Sequence, residues 1–255
     1  MNWKIIVVAL IAVIGVGVWG WYLQRELPTT ESTPLAAQGV PPAAEAPPVP
    51  VPTPAAAAAE LQPLVAMPAN LDNSDAQVHA AVNDFAAQLA AWLTPEEQLR
   101  KWVLLVDQIA EGKLPLKSRP LNYPMATFTT QRQGDKQILD PANYARADLL
   151  IKIFTSIPIE RLADYYHAWR PLLDKAYSEL GGSGGFDKRL RTAIKRVVKV
   201  QPLNMQPELI RPITYYKYAD ANLEAASDVE KLMWRLGPAN AKRVQDYLRV
   251  LEPEL

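Results

Sequence analysis

Residues 74–112 read SDAQVHAAVNDFAAQLAAWLTPEEQLRKWVLLVDQIAEG, and the class of fold turns on this stretch. Ser74-Asp75-Ala76-Gln77 has the form of a capping box, a small polar N-cap followed three residues later by an amide that can reach back. Val78, Ala81, Val82, Phe85, Leu89 and Trp92 then recur at helical spacing, which predicts a helix of about five turns. Thr94-Pro95-Glu96-Glu97 repeats the signal with Pro at the first helical position. Leu99, Trp102, Val103, Val106 and Ile109 form the next buried stripe, and Gly112 stops it. Two apolar stripes of this kind in succession predict a body that is mainly α.

Downstream the period changes. Pro115, Pro120 and Pro124 forbid a long helix between residues 114 and 139, and Ala126-Thr127-Phe128-Thr129-Thr130-Gln131 suits a strand. Gly134-Asp135 turns that strand toward Lys136-Gln137-Ile138-Leu139, so a small β-hairpin is expected. Asp140-Pro141 restarts helix through about Thr155. Ser156, with Pro158 in the first turn, opens a longer helix to Leu180 that Pro171 should kink or split. Gly181 to Gly185 breaks the chain, Phe186 to Val200 is helical, and the prolines of residues 201–213 favour an extended connection. Tyr215, Tyr216 and Tyr218 fall in a short strand or ordered loop. Ser227-Asp228-Val229-Glu230 is a third capping box, and Gly237-Pro238 both closes that helix and starts the last one.

Upstream the chain is of another kind. Residues 5–23 hold nineteen uncharged residues, about 28 Å as a helix, which matches a bilayer core. Trp19, Trp21 and Tyr22 gather at the far end, where amphipathic rings favour headgroups. A cleaved signal peptide would have a shorter apolar core ending in small residues, so an uncleaved anchor is the better fit. Lys4 and the α-amino group precede the span and Arg25 follows it, a slight bias toward a cytoplasmic N-terminus and an exported body. Residues 28–68 contain eleven Pro and eleven Ala, with Glu31, Glu45 and Glu60 and no basic or aromatic residue. Such a stretch cannot bury a core and reads as a disordered spacer. The expected layout is therefore an anchor in residues 1–27, a Pro/Ala-rich disordered linker in residues 28–70 and a helical globular domain in residues 71–255.

Composition narrows the chemistry. The 255 residues contain no Cys, which excludes disulfides, thiolate nucleophiles and Cys-bearing zinc sites. His79 and His167 are the only imidazoles, so a His-rich metal site is excluded as well. Twenty-seven basic and 27 acidic side chains cancel, and no global charge draws the chain to nucleic acid.

Several constellations deserve weighing against their plainer readings. Gly181-Gly182-Ser183-Gly184-Gly185 satisfies G-x-S-x-G, yet a nucleophile elbow needs a preceding strand and a later histidine, and this loop follows a helix. It reads as a helix-to-helix connection. Glu160, Asp164 and His167 share one helix face but have Arg161 and Arg170 beside them as ion-pair partners, so no metal is implied. Between Asp187 and Lys199, Leu190, Ala193, Ile194 and Val197 lie on one side of a helix. Lys188, Arg191, Lys195 and Lys199 lie on the other, with Arg189 and Arg196 at the border. The plain reading is a solvated face, and the functional one is a surface for an anionic protein, a lipid headgroup layer or an envelope polymer. Asp140, Asn143 and Tyr144, with Tyr218 and Asp220, serve as caps and core rings or line a pocket if the hairpin and the last helices converge.

Leu139-Asp140-Pro141-Ala142-Asn143-Tyr144-Ala145-Arg146, Tyr218-Ala219-Asp220 and Arg235-Leu236-Gly237-Pro238-Ala239-Asn240-Ala241, following an N-terminal anchor and a Pro-rich tether, resemble the proteobacterial domain-of-unknown-function 3014 family. The resemblance covers most of residues 71–255 and implies a layout, not a reaction.

The expectation is a non-enzymatic interaction or scaffolding module, tethered to the inner membrane by a single span with its domain in the periplasm and needing no cofactor. An envelope enzyme working through carboxylates, or a small-ligand or lipid pocket, stands as the alternative. Nucleic acid is the poorest fit as a partner, since no module for it is visible.

Overall fold

A computed structural model describes residues 64–203 and 205–255. The expected anchor in residues 5–23 and nearly all of the linker lie outside the described residues. What is described is mainly helical with small antiparallel β-hairpins. The order is α1 (Asp75–Ala90), α2 (Gln98–Ala110), β1 (Thr130–Gln133), β2 (Lys136–Leu139), a 3-10 segment (Pro141–Ala147), α3 (Asp148–Thr155), α4 (Ile159–Glu179), α5 (Phe186–Lys199), β3 (Leu209–Ile210), β4 (Lys217–Tyr218), α6 (Ala221–Ala225), α7 (Asp228–Leu251) and a closing 3-10 turn (Glu252–Glu254).

One apolar core joins the long helices. α2 packs on α4 and α5, and α5 packs on α7. The stripe expected on α2 is buried in full, as are Leu190, Ala193, Ile194 and Val197 of α5. Trp102, Trp169, Tyr165, Tyr166, Phe154 and Phe186 are the largest fully buried side chains, and aromatic burial of this kind contributes much of a core's stabilisation. The core begins upstream of Leu71. Leu64 and Val65 pack against it, Val65 N–H donates to the Tyr165 hydroxyl at 3.1 Å, and Trp169 Nε1–H donates to the Val65 carbonyl at 3.3 Å.

Several local signals resolve differently in three dimensions. Ser74 does not cap α1; its hydroxyl donates to the Leu71 carbonyl at 2.8 Å. The cap moves to Asp75, whose carboxylate accepts from Glu97 N–H at 2.9 Å and Gln98 N–H at 2.8 Å and so closes the start of the next helix. Thr94 likewise turns away, donating to the Arg119 and Pro120 carbonyls. Glu96 and Glu97 adopt left-handed backbone, and α2 starts only at Gln98. Ser74 turned to a local carbonyl and Thr94 to a tertiary one, and each acceptor competed with the helix end. Pro171 neither splits nor breaks α4, which runs unbroken for 21 residues.

The hairpin exists but begins later than residue 126. β1 pairs with β2 from Thr130 opposite Leu139 to Gln133 opposite Lys136, which leaves Gly134-Asp135 as a two-residue turn with Gly134 at φ 61°. A second short ladder pairs Leu209 with Tyr218 and Ile210 with Lys217, and an antiparallel bridge from Ile138 to Glu208 joins the two. Leu139, Leu209 and Tyr218 form a satellite core with Phe128, Tyr144, Tyr216 and Trp234 around it. This β layer rests against α7 at its bend.

Candidate functional site: a two-armed groove at the bend of the last helix

α7 opens with a true reciprocal capping box, the Ser227 hydroxyl accepting from Glu230 N–H at 3.3 Å while the Glu230 carboxylate accepts from Ser227 N–H at 2.9 Å. Nine residues on, Gly237 leaves helical geometry at φ 78°, ψ 162°, and Pro238 restarts the helix with its fixed φ and absent N–H. The bend admits the Tyr144 ring. Asn240, buried just beyond it, donates to the Tyr144 carbonyl at 3.1 Å and to Asp148 Oδ1 at 2.7 Å, which locks the 3-10 segment onto α7.

Beside the bend lies a groove of about 260 Å³ lined by Tyr144, Trp234, Gly237, Pro238, Val200 and Pro202. Trp234 is held by its indole N–H, which donates to the Gln201 carbonyl at 3.0 Å. Its neighbour Tyr218 lies edge-on at 6.0 Å, and the Arg235 guanidinium sits 5.8 Å over the Tyr218 ring and within reach of its hydroxyl. Burial raises both the Tyr144 and Tyr218 phenols above their ordinary range, so both stay neutral. Val200 also lines a second, separate pocket of about 460 Å³, together with Thr192, Lys195, Arg196, Lys199, Ser227 and Glu230. One residue is thus common to an aromatic arm and a cationic one.

The structure sorts the residues expected to form a site. Tyr144 and Tyr218 converge on Trp234, and Lys195 and Lys199 line the cationic arm. Arg191 is spent on structure: it donates to the Glu252 carbonyl at 2.9 Å and to Leu255 O and pairs with Asp187 at 3.1 Å. Lys188 is exposed and outside both arms. Asp140 caps the 3-10 segment by accepting from Ala142 N–H at 2.9 Å, and Asp220 caps α6 from Asn222 N–H at 2.7 Å. Asn143 ties that segment to the strand, its Oδ1 accepting from Thr129 N–H and its Nδ2 donating to the Thr129 carbonyl. The border arginines are structural too, Arg189 pairing with Asp107 and Glu111 and Arg196 donating to the Ala110 carbonyl.

Near His167 the arginines pair with carboxylates other than Glu160 and Asp164 in the bonds seen. Arg161 reaches across to Asp84 at 2.5 Å, and Arg170 pairs with Asp174 at 3.7 Å. Among the described residues no cluster of His and carboxylates could hold a metal ion. Gly181 to Gly185 is a helix-to-helix loop with Gly182 against the Tyr177 ring. The residues that sequence reasoning missed are Trp234, Val200, Pro202 and Lys242. Trp234 and Lys242 stand within five residues of Gly237-Pro238, which was the available signal, whereas Val200 and Pro202 carried none.

No curated protein and no solved structure matches this chain. No helix among the described residues is long and apolar enough to cross a membrane. Residues 98–252, which run from the start of α2 through α7, match the family described as Protein of unknown function (DUF3014), and the chain belongs to that family.

Proposed function

We propose that this is an interaction or scaffolding module, held by residues 5–23 as a single span of the inner membrane with its helical body in the periplasm, that binds a protein segment bearing acidic residues beside apolar ones. The observation that supports this most is that the two arms share Val200. An aromatic wall offers desolvation and stacking, and adjacent cations offer orientation and steering, a division common to peptide-binding grooves. The nineteen uncharged residues with their terminal aromatics support the anchor.

A photoreactive residue placed at Lys199 or Lys242 of the full chain tests the groove in its own cell, with Leu149 as an exposed position on another helix. The expected result is an adduct with one identified protein from the groove positions only, joined at a segment that has Asp or Glu next to apolar residues. Lys195→Glu with Lys199→Glu should abolish the adduct formed from position 242. Equal adducts from Leu149, or indifference to the charge reversal, reject the reading. For the anchor, the full chain should stay in membranes through carbonate washing. A reporter active only outside the cytoplasm should work when fused after Leu255.

A further inference from the structure

We infer that the β3–β4 hairpin is a membrane-contact site, its apolar tip entering the interfacial layer of a bilayer that carries anionic phospholipid headgroups. The segment joining the two strands is Arg211-Pro212-Ile213-Thr214-Tyr215-Tyr216, and Arg211 to Thr214 are all exposed. Ile213 is 80 % exposed, the most of any large apolar side chain among the described residues, and Ile210 at the end of β3 is 44 % exposed. Single exposed apolar side chains are ordinary. Two isoleucines with a proline between them on one turn form a patch, and patches mark contact sites. The hairpin lies outside both arms of the groove, and the inference does not rest on them.

The order of side chains along the hairpin matches the order of layers in a leaflet. Behind the exposed isoleucines, Tyr215 and Tyr216 are half-buried, with Lys217 Nζ 5.3 Å over the Tyr215 ring and the Arg211 guanidinium 5.6 Å over the Tyr216 ring. Aliphatic side chains favour acyl chains, and tyrosine rings favour the headgroup level. Lys and Arg lay their stems along apolar surface while their charges meet phosphate. Charge selects an anionic surface, since residues 209–219 contain Arg211 and Lys217 and neither Asp nor Glu. The carboxylates on either side are engaged, Glu208 with Lys136 at 3.4 Å and Asp220 as the cap of α6. The base of the hairpin is fixed to the body. Tyr218 N–H donates to the Glu224 carboxylate at 3.0 Å, Ala219 N–H to the Glu208 carbonyl at 2.9 Å and Gln137 Nε2 to the Tyr216 hydroxyl at 3.2 Å, so contact orders little that is not already ordered. An exposed turn of this kind encloses nothing, which suits insertion into a deformable layer.

The absence of Cys makes the test clean, because one introduced thiol takes one label. The full chain carries an environment-sensitive fluorophore on Thr214→Cys, which leaves both isoleucines in place, or on Leu180→Cys, an exposed position at the end of α4. Each is reconstituted in vesicles of phosphatidylcholine and phosphatidylglycerol, a fraction of the lipid bearing a nitroxide quencher just below the headgroup. The label at position 214 should be quenched at least about threefold more than the label at position 180. Ile210→Ser with Ile213→Ser should bring it down to the level of position 180, and vesicles of phosphatidylcholine alone should weaken it. Ile213→Ser by itself, at the more exposed of the two sites, serves where the double change disturbs the fold. Quenching at position 214 no greater than at position 180, or unaltered by loss of the isoleucines, overturns the inference. Quenching as strong in phosphatidylcholine alone overturns its anionic part. The readout is local to the hairpin. Photocrosslinks from Lys199 and Lys242 report on the groove and carbonate washing on residues 5–23, so each of these readings can fail without the others.

Discussion

The ring of Tyr144 occupies the place where a side chain at position 237 would begin: a Cβ built on Gly237 would stand 2.5 Å from Tyr144 Cγ. The same glycine has φ 78°, a conformation that side-chain-bearing residues rarely adopt. Contact and backbone thus demand glycine independently, and the bend that forms the aromatic arm depends on both. Gly237→Ala should destabilise the body by about 2–4 kcal/mol in urea unfolding. In a Tyr144→Ala background the same change should cost only the backbone share, about 1 kcal/mol. Equal costs in the two backgrounds would show that the ring does not enforce the bend.

Asp84 holds α1 to α4. Its carboxylate accepts from Arg161 Nε at 2.7 Å and from the Tyr165 hydroxyl at 2.9 Å. Arg161 is nearly buried, so losing Asp84 removes a charge-assisted hydrogen bond where water cannot replace it. Asp84→Ala should cost about 2–4 kcal/mol, and Tyr165→Phe about 1 kcal/mol, measured as shifts in the urea midpoint at constant slope.

The cationic helix should divide sharply on substitution. Arg191→Gln loses the donors that hold the end of the chain and should lower stability by about 1–3 kcal/mol. Lys188→Gln and Lys199→Gln should each change it by less than about 0.5 kcal/mol. Thermal melts of the three variants decide this. A harmless Arg191→Gln would return that residue to the free cationic surface.

His167 sets a pH dependence. Burial lowers its pKa below the ordinary imidazole value, and its ring Nε2 lies 3.0 Å from the Glu254 carbonyl, a contact the neutral ring makes as a donor. A depressed histidine pKa means that the unfolded chain binds more protons, so stability rises with pH through the window between the folded value and about 6.5. It is complete above that window and lost as pH falls through it. Urea midpoints at pH 7.5 and pH 5 should therefore differ for the native chain and differ less for His167→Gln. An unchanged pH difference in the variant would assign the slope to other groups.

How far the sequence reaches can be judged on single residues. Burial of Leu99, Trp102, Val103, Val106 and Ile109 was legible because a stripe of period 3.6 has one way to leave water. The Ser227 box was legible because both partners lie within one turn. Ser74 and Thr94 carried the same local signal and formed no cap, since the Ser74 hydroxyl turned back to the Leu71 carbonyl and the Thr94 hydroxyl found acceptors in a distant segment. No local pattern encodes that competition.

The sequence by itself determined the helical class, the hairpin turn at Gly134-Asp135, the break at Gly237-Pro238 and the absence of thiol chemistry, all of which rest on backbone preference, period or composition. Tertiary structure alone decided that Tyr144, Trp234 and Val200 line one groove, that Lys199 lines a second one with Val200, and that Arg191 belongs to neither. Tyr144 and Gly237 are 93 residues apart in the chain, yet the ring needs the space that the glycine leaves. Contacts of that range follow from how helices of fixed shape fill one core, which a local pattern does not specify.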